Sequence, residues 1–100
     1  MNLRVFANSS GNLLLEISHP SLKSALTWFL PMLPQESPAL RGIDPSRLVE
    51  VRLHEKLYQI PYIHIRTIQL RTDPLTEVGQ LEAEDSINVL NHIQDLLAWD

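Results

Sequence analysis

The chain has no cysteine at all. That removes disulfides, thiolate nucleophiles, iron–sulfur clusters and thiolate zinc sites together, and makes a disulfide-stapled secreted domain untenable. Only three glycines occur, Gly11, Gly42 and Gly79, so there is no glycine-rich phosphate-binding loop. No apolar run reaches the length of a membrane span; the longest, Leu22 to Leu33, is interrupted by Lys23, Ser24, Thr27 and Pro31. The start, Met1-Asn2-Leu3-Arg4-Val5-Phe6, lacks the regions of a signal peptide. These absences place the expected address in the cytoplasm. No serine sits in a Gly-x-Ser-x-Gly elbow, and the acidic residues have no apolar pocket context that would mark an acid and base pair. The expectation is a non-catalytic protein with no cofactor.

What is present fits one folded domain, residues 1–100. The chain of 100 residues is 44% hydrophobic and 20% charged, ordinary for a globular domain that can bury a core without staples. The net charge of −4 is unevenly spread. Residues 1–40 balance, residues 41–72 are basic, and residues 73–100 hold seven carboxylates and no Lys or Arg.

Periodicity predicts the elements. Leu3–Ser18 reads as a β-hairpin around Asn8-Ser9-Ser10-Gly11-Asn12, ended by His19-Pro20. Residues 21–33 read as a helix, with Ser21 as N-cap and Leu22, Ala25, Leu26, Phe29, Leu30 and Leu33 on one face, ending or kinking near Pro31. Residues 34–47 form a proline-bearing connection, longer than usual and a candidate for mobility. Residues 48–54 alternate as a strand. Residues 62–71 supply its expected partner, with a phase slip near Arg66-Thr67 and a register that sets Val51 against Ile65 and Glu50 against Arg66. A competing reading makes 45–57 a helix capped by Asp44. Residues 82–99 read as a helix with a stripe of Ile87, Leu90, Ile93 and Leu97, widened by Val89 and Leu96, and capped by Asp85 or Ser86. The expected fold class is therefore α+β: a four-stranded antiparallel sheet from two β-hairpins, each followed by a helix (ββαββα), with the helices on one face.

Three groups of residues bear on function. Trp28 and Met32 lie off the stripe of the first predicted helix, and Trp99 is penultimate; large apolar side chains without an obvious core position anchor protein–protein contacts. The leading expectation is thus an interaction protein (adaptor, regulator or assembly subunit), forming a homodimer or bound to another protein. The alternative is single-stranded nucleic-acid binding through the basic hairpin 47–71, with Arg52 and Arg66 on phosphates and Tyr62 stacking on a base. His54 and His64, with Glu50 on the same predicted face, are weak metal candidates, since Arg52 and Arg66 beside them oppose a cation.

Overall fold

Asn8 shapes the first turn. Its side-chain Oδ1 accepts from the backbone N–H of Ser10 and of Asn12, and Gly11 takes a φ of 83°, the left-handed conformation that a side chain resists. The turn joins β1 (Arg4–Ala7) to β2 (Leu13–Ile17), with Val5 opposite Leu15. This is the hairpin the alternation predicts. The computed structural model describes residues 2–17, 28–62, 66–67 and 74–97.

The next described element corrects the sequence reading. Trp28–Pro34 is not the end of a helix but a strand, β3, antiparallel to β2 from Ile17↔Trp28 to Leu13↔Met32. Residues 21–27 of the predicted helix lie outside the described residues. The segment Trp28-Phe29-Leu30-Pro31-Met32-Leu33 is apolar throughout, and a continuous run carries no period that separates strand from buried helix. Pro31 is the discriminating residue. It would break a helix interior, whereas in β3 it falls between two partners on one edge: β6 (Arg66–Thr67), which pairs with Trp28 and Phe29, and β5 (Lys56–Pro61), which pairs with Leu33 and Pro34.

After β3 ends at Pro34, the connection to residue 47 holds two short 3₁₀ segments. Ser37 caps Pro38–Gly42, and Asp44 caps Pro45–Arg47 by accepting from the N–H of Ser46. That hydrogen bond holds the Asp44 carboxyl below its ordinary pKa. The capping signal in the competing helix reading of 45–57 is thus used for one turn only, after which β4 (Leu48–Leu53) begins. Its partner is β5, in the register Leu48↔Pro61 to Leu53↔Lys56, not the predicted 62–71. Within that segment Arg66–Thr67 pairs with β3, while Ile65 and Ile63, the expected partners of Val51 and Leu53, lie outside the described residues. Glu50, expected to meet Arg66, accepts instead from the Gln59 side chain at 3.1 Å.

β7 (Thr76–Gln80) pairs with β1, and one helix, α1 (Ala83–Leu97), follows. Six strands run antiparallel in the order β4-β5-β3-β2-β1-β7, with β6 beside β3, and the sheet curls into a half-barrel. The expected four-stranded ββαββα arrangement with two helices is overturned; among the described residues there is one helix. No described helix is long and apolar enough to cross a membrane.

Inside the curl, Val5, Leu15, Ile17, Leu30, Met32, Val49, Val51, Leu53 and Ile60 pack with Leu81, Val89 and Ile93. The buried stripe of α1 is therefore Ser86, Val89 and Ile93 with Leu90 half-buried, while the predicted stripe member Ile87 is 53% exposed. The helix begins at Ala83, so Asp85 and Ser86 are first-turn residues and not caps. Ser86 is fully buried and its Oγ accepts from the Leu3 N–H at 3.0 Å, while the Leu3 carbonyl accepts from Leu81 N–H at 2.9 Å. Ser86→Ala strands a buried donor, which is expected to cost about 1–3 kcal/mol. Ser86→Thr, which keeps the hydroxyl, is expected to retain most of that stability. Thermal unfolding of both, with hydrogen exchange at the Leu3 amide, checks the assignment; equal losses would mean that packing volume and not the hydroxyl matters.

The other face of the sheet is also apolar in part. Phe29 and Leu14 are buried outside the main core. Phe6 meets Phe29 edge-on at 6.0 Å, and the Arg4 guanidinium lies 5.2 Å from the Phe6 ring centre. Arg4 also pairs across the strands with Glu16 at 2.9 Å and Glu77 at 3.3 Å.

Candidate functional site

The curled sheet brings its two end strands, β4 and β7, close to each other, and this seam holds the least conventional geometry in the described residues. β4 and β5 are joined by two residues, His54 and Glu55, with φ of 51° and 67°. Positive φ at both central positions matches the right-handed twist of a hairpin but normally calls for Asn-Gly. Non-glycine residues there cost about 1–2 kcal/mol each, so neighbouring contacts must hold the tip. One does. The His54 ring reaches the Val78 carbonyl at 3.0 Å. A carbonyl only accepts, so Nε2 carries the proton.

Val78 is available because β7 bulges. Val5 pairs with Gly79 and Phe6 with Glu77, leaving Val78 as the extra residue. Gly79 makes room for the ring, since a Cβ at that position would stand 2.9 Å from His54 Nε2 and 3.0 Å from Leu53 Cδ1. Further along the seam, the first turn of α1 supplies a second link. The Asp85 carboxylate accepts from the Arg52 backbone N–H at 3.0 Å. Beside it lies a cleft of about 380 Å³ lined by Glu50, Val51, Arg52, Leu57, Glu82, Glu84 and Asp85, four carboxylates against one guanidinium. A larger cleft of about 760 Å³ opens between the Asn8–Asn12 turn and the Pro34–Ala39 segment, walled by Leu13, Pro31, Leu33, Pro38 and Tyr58, with Glu36 its single carboxylate.

The residues singled out from the sequence are dispersed. Met32 is 2% exposed and belongs to the core, which corrects its reading as a contact residue: strand alternation puts it on the inner face with Leu30, whereas helical spacing put it off the stripe. Trp28 is half-buried against the same core, with its Nε1 buried and without a hydrogen-bond partner among the described residues. Trp99 lies outside the described residues. Arg52 is exposed on β4, but Tyr62 follows β5 near the other end of the hairpin, half-buried, with its ring 5.1 Å from that of His92 and its hydroxyl 3.4 Å from the Ser46 carbonyl. Arg52 and Tyr62 are thus not brought onto one platform. Arg66 is placed by its backbone in β6 beside β3, on a different part of the sheet. His64 lies outside the described residues, and His54 is engaged by Val78. Among the described residues no three His, Asp or Glu side chains converge as metal ligands.

The seam went unread in the sequence. Its one signal was an isolated glycine, Gly79, among strand-forming residues, which marks a bulge or a close approach. No protein-family model matches the chain, and no curated protein matches it significantly.

Proposed function

We propose that the protein is a small non-catalytic interaction protein, an adaptor, regulator or assembly subunit that works by contact with another protein or a second copy of itself. The observation that supports this reading is the sheet's outer edge at β4, beside the seam with β7. β4 and β7 end the sheet; β7 is bulged and tied to His54, while β4 runs in regular register with the outward groups of Glu50 unpartnered among the described residues, and strand edges of this kind are what other chains recognise. The two large apolar side chains that stand most exposed among the described residues, Val78 at 38% and Ile87 at 53%, belong to β7 and α1, the elements that border the seam. Exposed apolar side chains suit a protein partner better than a nucleic acid, and the carboxylates of Glu82, Glu84 and Asp85 would repel a phosphate backbone.

The test is the mass of the untagged protein, purified from its own host, by size-exclusion chromatography with light scattering and mass spectrometry. A dimer or a stoichiometric complex is expected, and Ile87→Lys is expected to dissociate it while leaving the thermal midpoint nearly unchanged, because Ile87 is exposed. A monomer with nothing bound would overturn the reading.

A further inference from the structure

We infer that the outer edge of β4 receives an extended, lysine- or arginine-bearing segment of a partner protein, which joins the sheet as a further strand. The inference rests on the interaction reading above and gives it a partner chemistry.

Backbone direction carries the first step. In a two-residue hairpin the closing pair, here Leu53 and Lys56, exchanges hydrogen bonds. Val49, Val51 and Leu53 then direct their N–H and C=O groups to β5, and Leu48, Glu50 and Arg52 direct theirs outward. The Arg52 N–H confirms the phase, since it points away from β5 to Asp85. Among the described residues the outward groups of Glu50 have no partner, and the cleft lined by Glu50, Arg52, Glu82 and Glu84 leaves space beside them.

The other ends of the sheet are protected. β7 is bulged at Val78 and its freed carbonyl is occupied by His54, and β6 is two residues long. β4 has six residues in regular register, without proline, bulge or lysine; among the described residues its outer edge is met by the start of α1, through Asp85 at the Arg52 N–H, which leaves the groups of Glu50 accessible. Charge selects the occupant. Glu50, Glu82, Glu84 and Asp85 outnumber Arg52 around the cleft, so a strand bearing cations on alternate residues is attracted and an acidic one repelled.

The experiment uses the full chain and a fluorescein-labelled Lys-Val-Lys-Val-Lys peptide, with a Glu-Val-Glu-Val-Glu peptide and an alternately N-methylated Lys-Val peptide as controls. The Lys peptide is expected to bind roughly tenfold or more tightly than the Glu peptide, and less tightly as salt rises. It is expected to shift the amide resonances of Glu50 and Arg52, and to lose binding on N-methylation, which removes strand pairing without touching the protein. Glu82→Lys with Glu84→Lys is expected to weaken it roughly tenfold. Glu50→Pro, which deletes an outward N–H and spares the ladder to β5, is expected to abolish it. Absence of binding, equal binding of both charges, or indifference to N-methylation would overturn the inference. If the untagged protein still forms a dimer or complex in that case, the interaction reading survives and the edge assignment alone fails.

Discussion

Phe29→Ala is expected to destabilise the protein by about 3–5 kcal/mol, as much as truncation in the main core, although Phe29 faces away from it. The reasoning starts from β3. Leu30 and Met32 point into the curl, and Phe29 alternates to the opposite face, yet Phe29 is 1% exposed. A side chain so buried has a second apolar layer around it, made in part by Phe6, which meets its ring edge-on at 6.0 Å; Leu14 on β2 is likewise buried outside the main core. Removing the ring deletes its transfer free energy and leaves a cavity that β-sheet backbone cannot close. Leu30→Ala, on the other face, is expected to cost about 2–5 kcal/mol. In a domain of this size each kcal/mol lowers the thermal midpoint by roughly 4–8 °C. Denaturant unfolding of the two variants compares the faces directly. A loss for Phe29→Ala of well under 1 kcal/mol would mean that the second face is a wet surface and that the sheet has a single core.

That two-faced burial is why β3 carries a pattern that also fits a helix. Amphipathic pattern was decisive where one face is solvated: Val49, Val51 and Leu53 alternate with exposed Glu50 and Arg52, and β4 was found with nearly its true bounds. The turn at Asn8–Asn12 was also legible, because Asn and Gly chemistry there is local. β3 was not, because both of its faces are apolar and the run Trp28–Leu33 fits helical spacing by chance. Pro31 was the clue that weighed against a helix.

The pairing of β4 with β5 is hidden in the sequence for a different reason. The turn His54-Glu55 has no glycine or asparagine, so a two-residue hairpin gave no signal, and charge matching pulled the pairing toward 62–71. The tertiary contact with Val78 holds a conformation that local chemistry disfavours, and no single-sequence rule anticipates that. The candidate site follows from it. Of the residues that the sequence singles out, Arg52 and His54 border the seam; the pattern points to a nucleic-acid face and to metal binding, whereas the Arg52 backbone N–H and the His54 ring engage the neighbouring chain segments.

Gly79→Ala tests that seam through the sign of its effect. At a glycine with ordinary φ and free space, alanine stabilises by about 0.4–1 kcal/mol by restricting the unfolded chain. Gly79 is not in the left-handed region, but a Cβ there would come within 2.9 Å of His54 Nε2. The imidazole is the far end of a side chain and can swing away, at the cost of its hydrogen bond to Val78 and of the contact that holds His54 and Glu55 at positive φ. The expected result is a loss of about 1–3 kcal/mol. His54→Gly alone is expected to be close to neutral, since glycine relieves the strain at φ 51° while the ring's hydrogen bond is lost. In the His54→Gly background, Gly79→Ala is expected to lose most of its cost, leaving only the contact with Leu53 Cδ1. The double-mutant cycle therefore has a coupling of about 1 kcal/mol or more. Equal costs for Gly79→Ala in both backgrounds would show that the ring does not rest on Gly79. The closure of the half-barrel at β4 and β7 would then have to come from Asp85 and α1 alone.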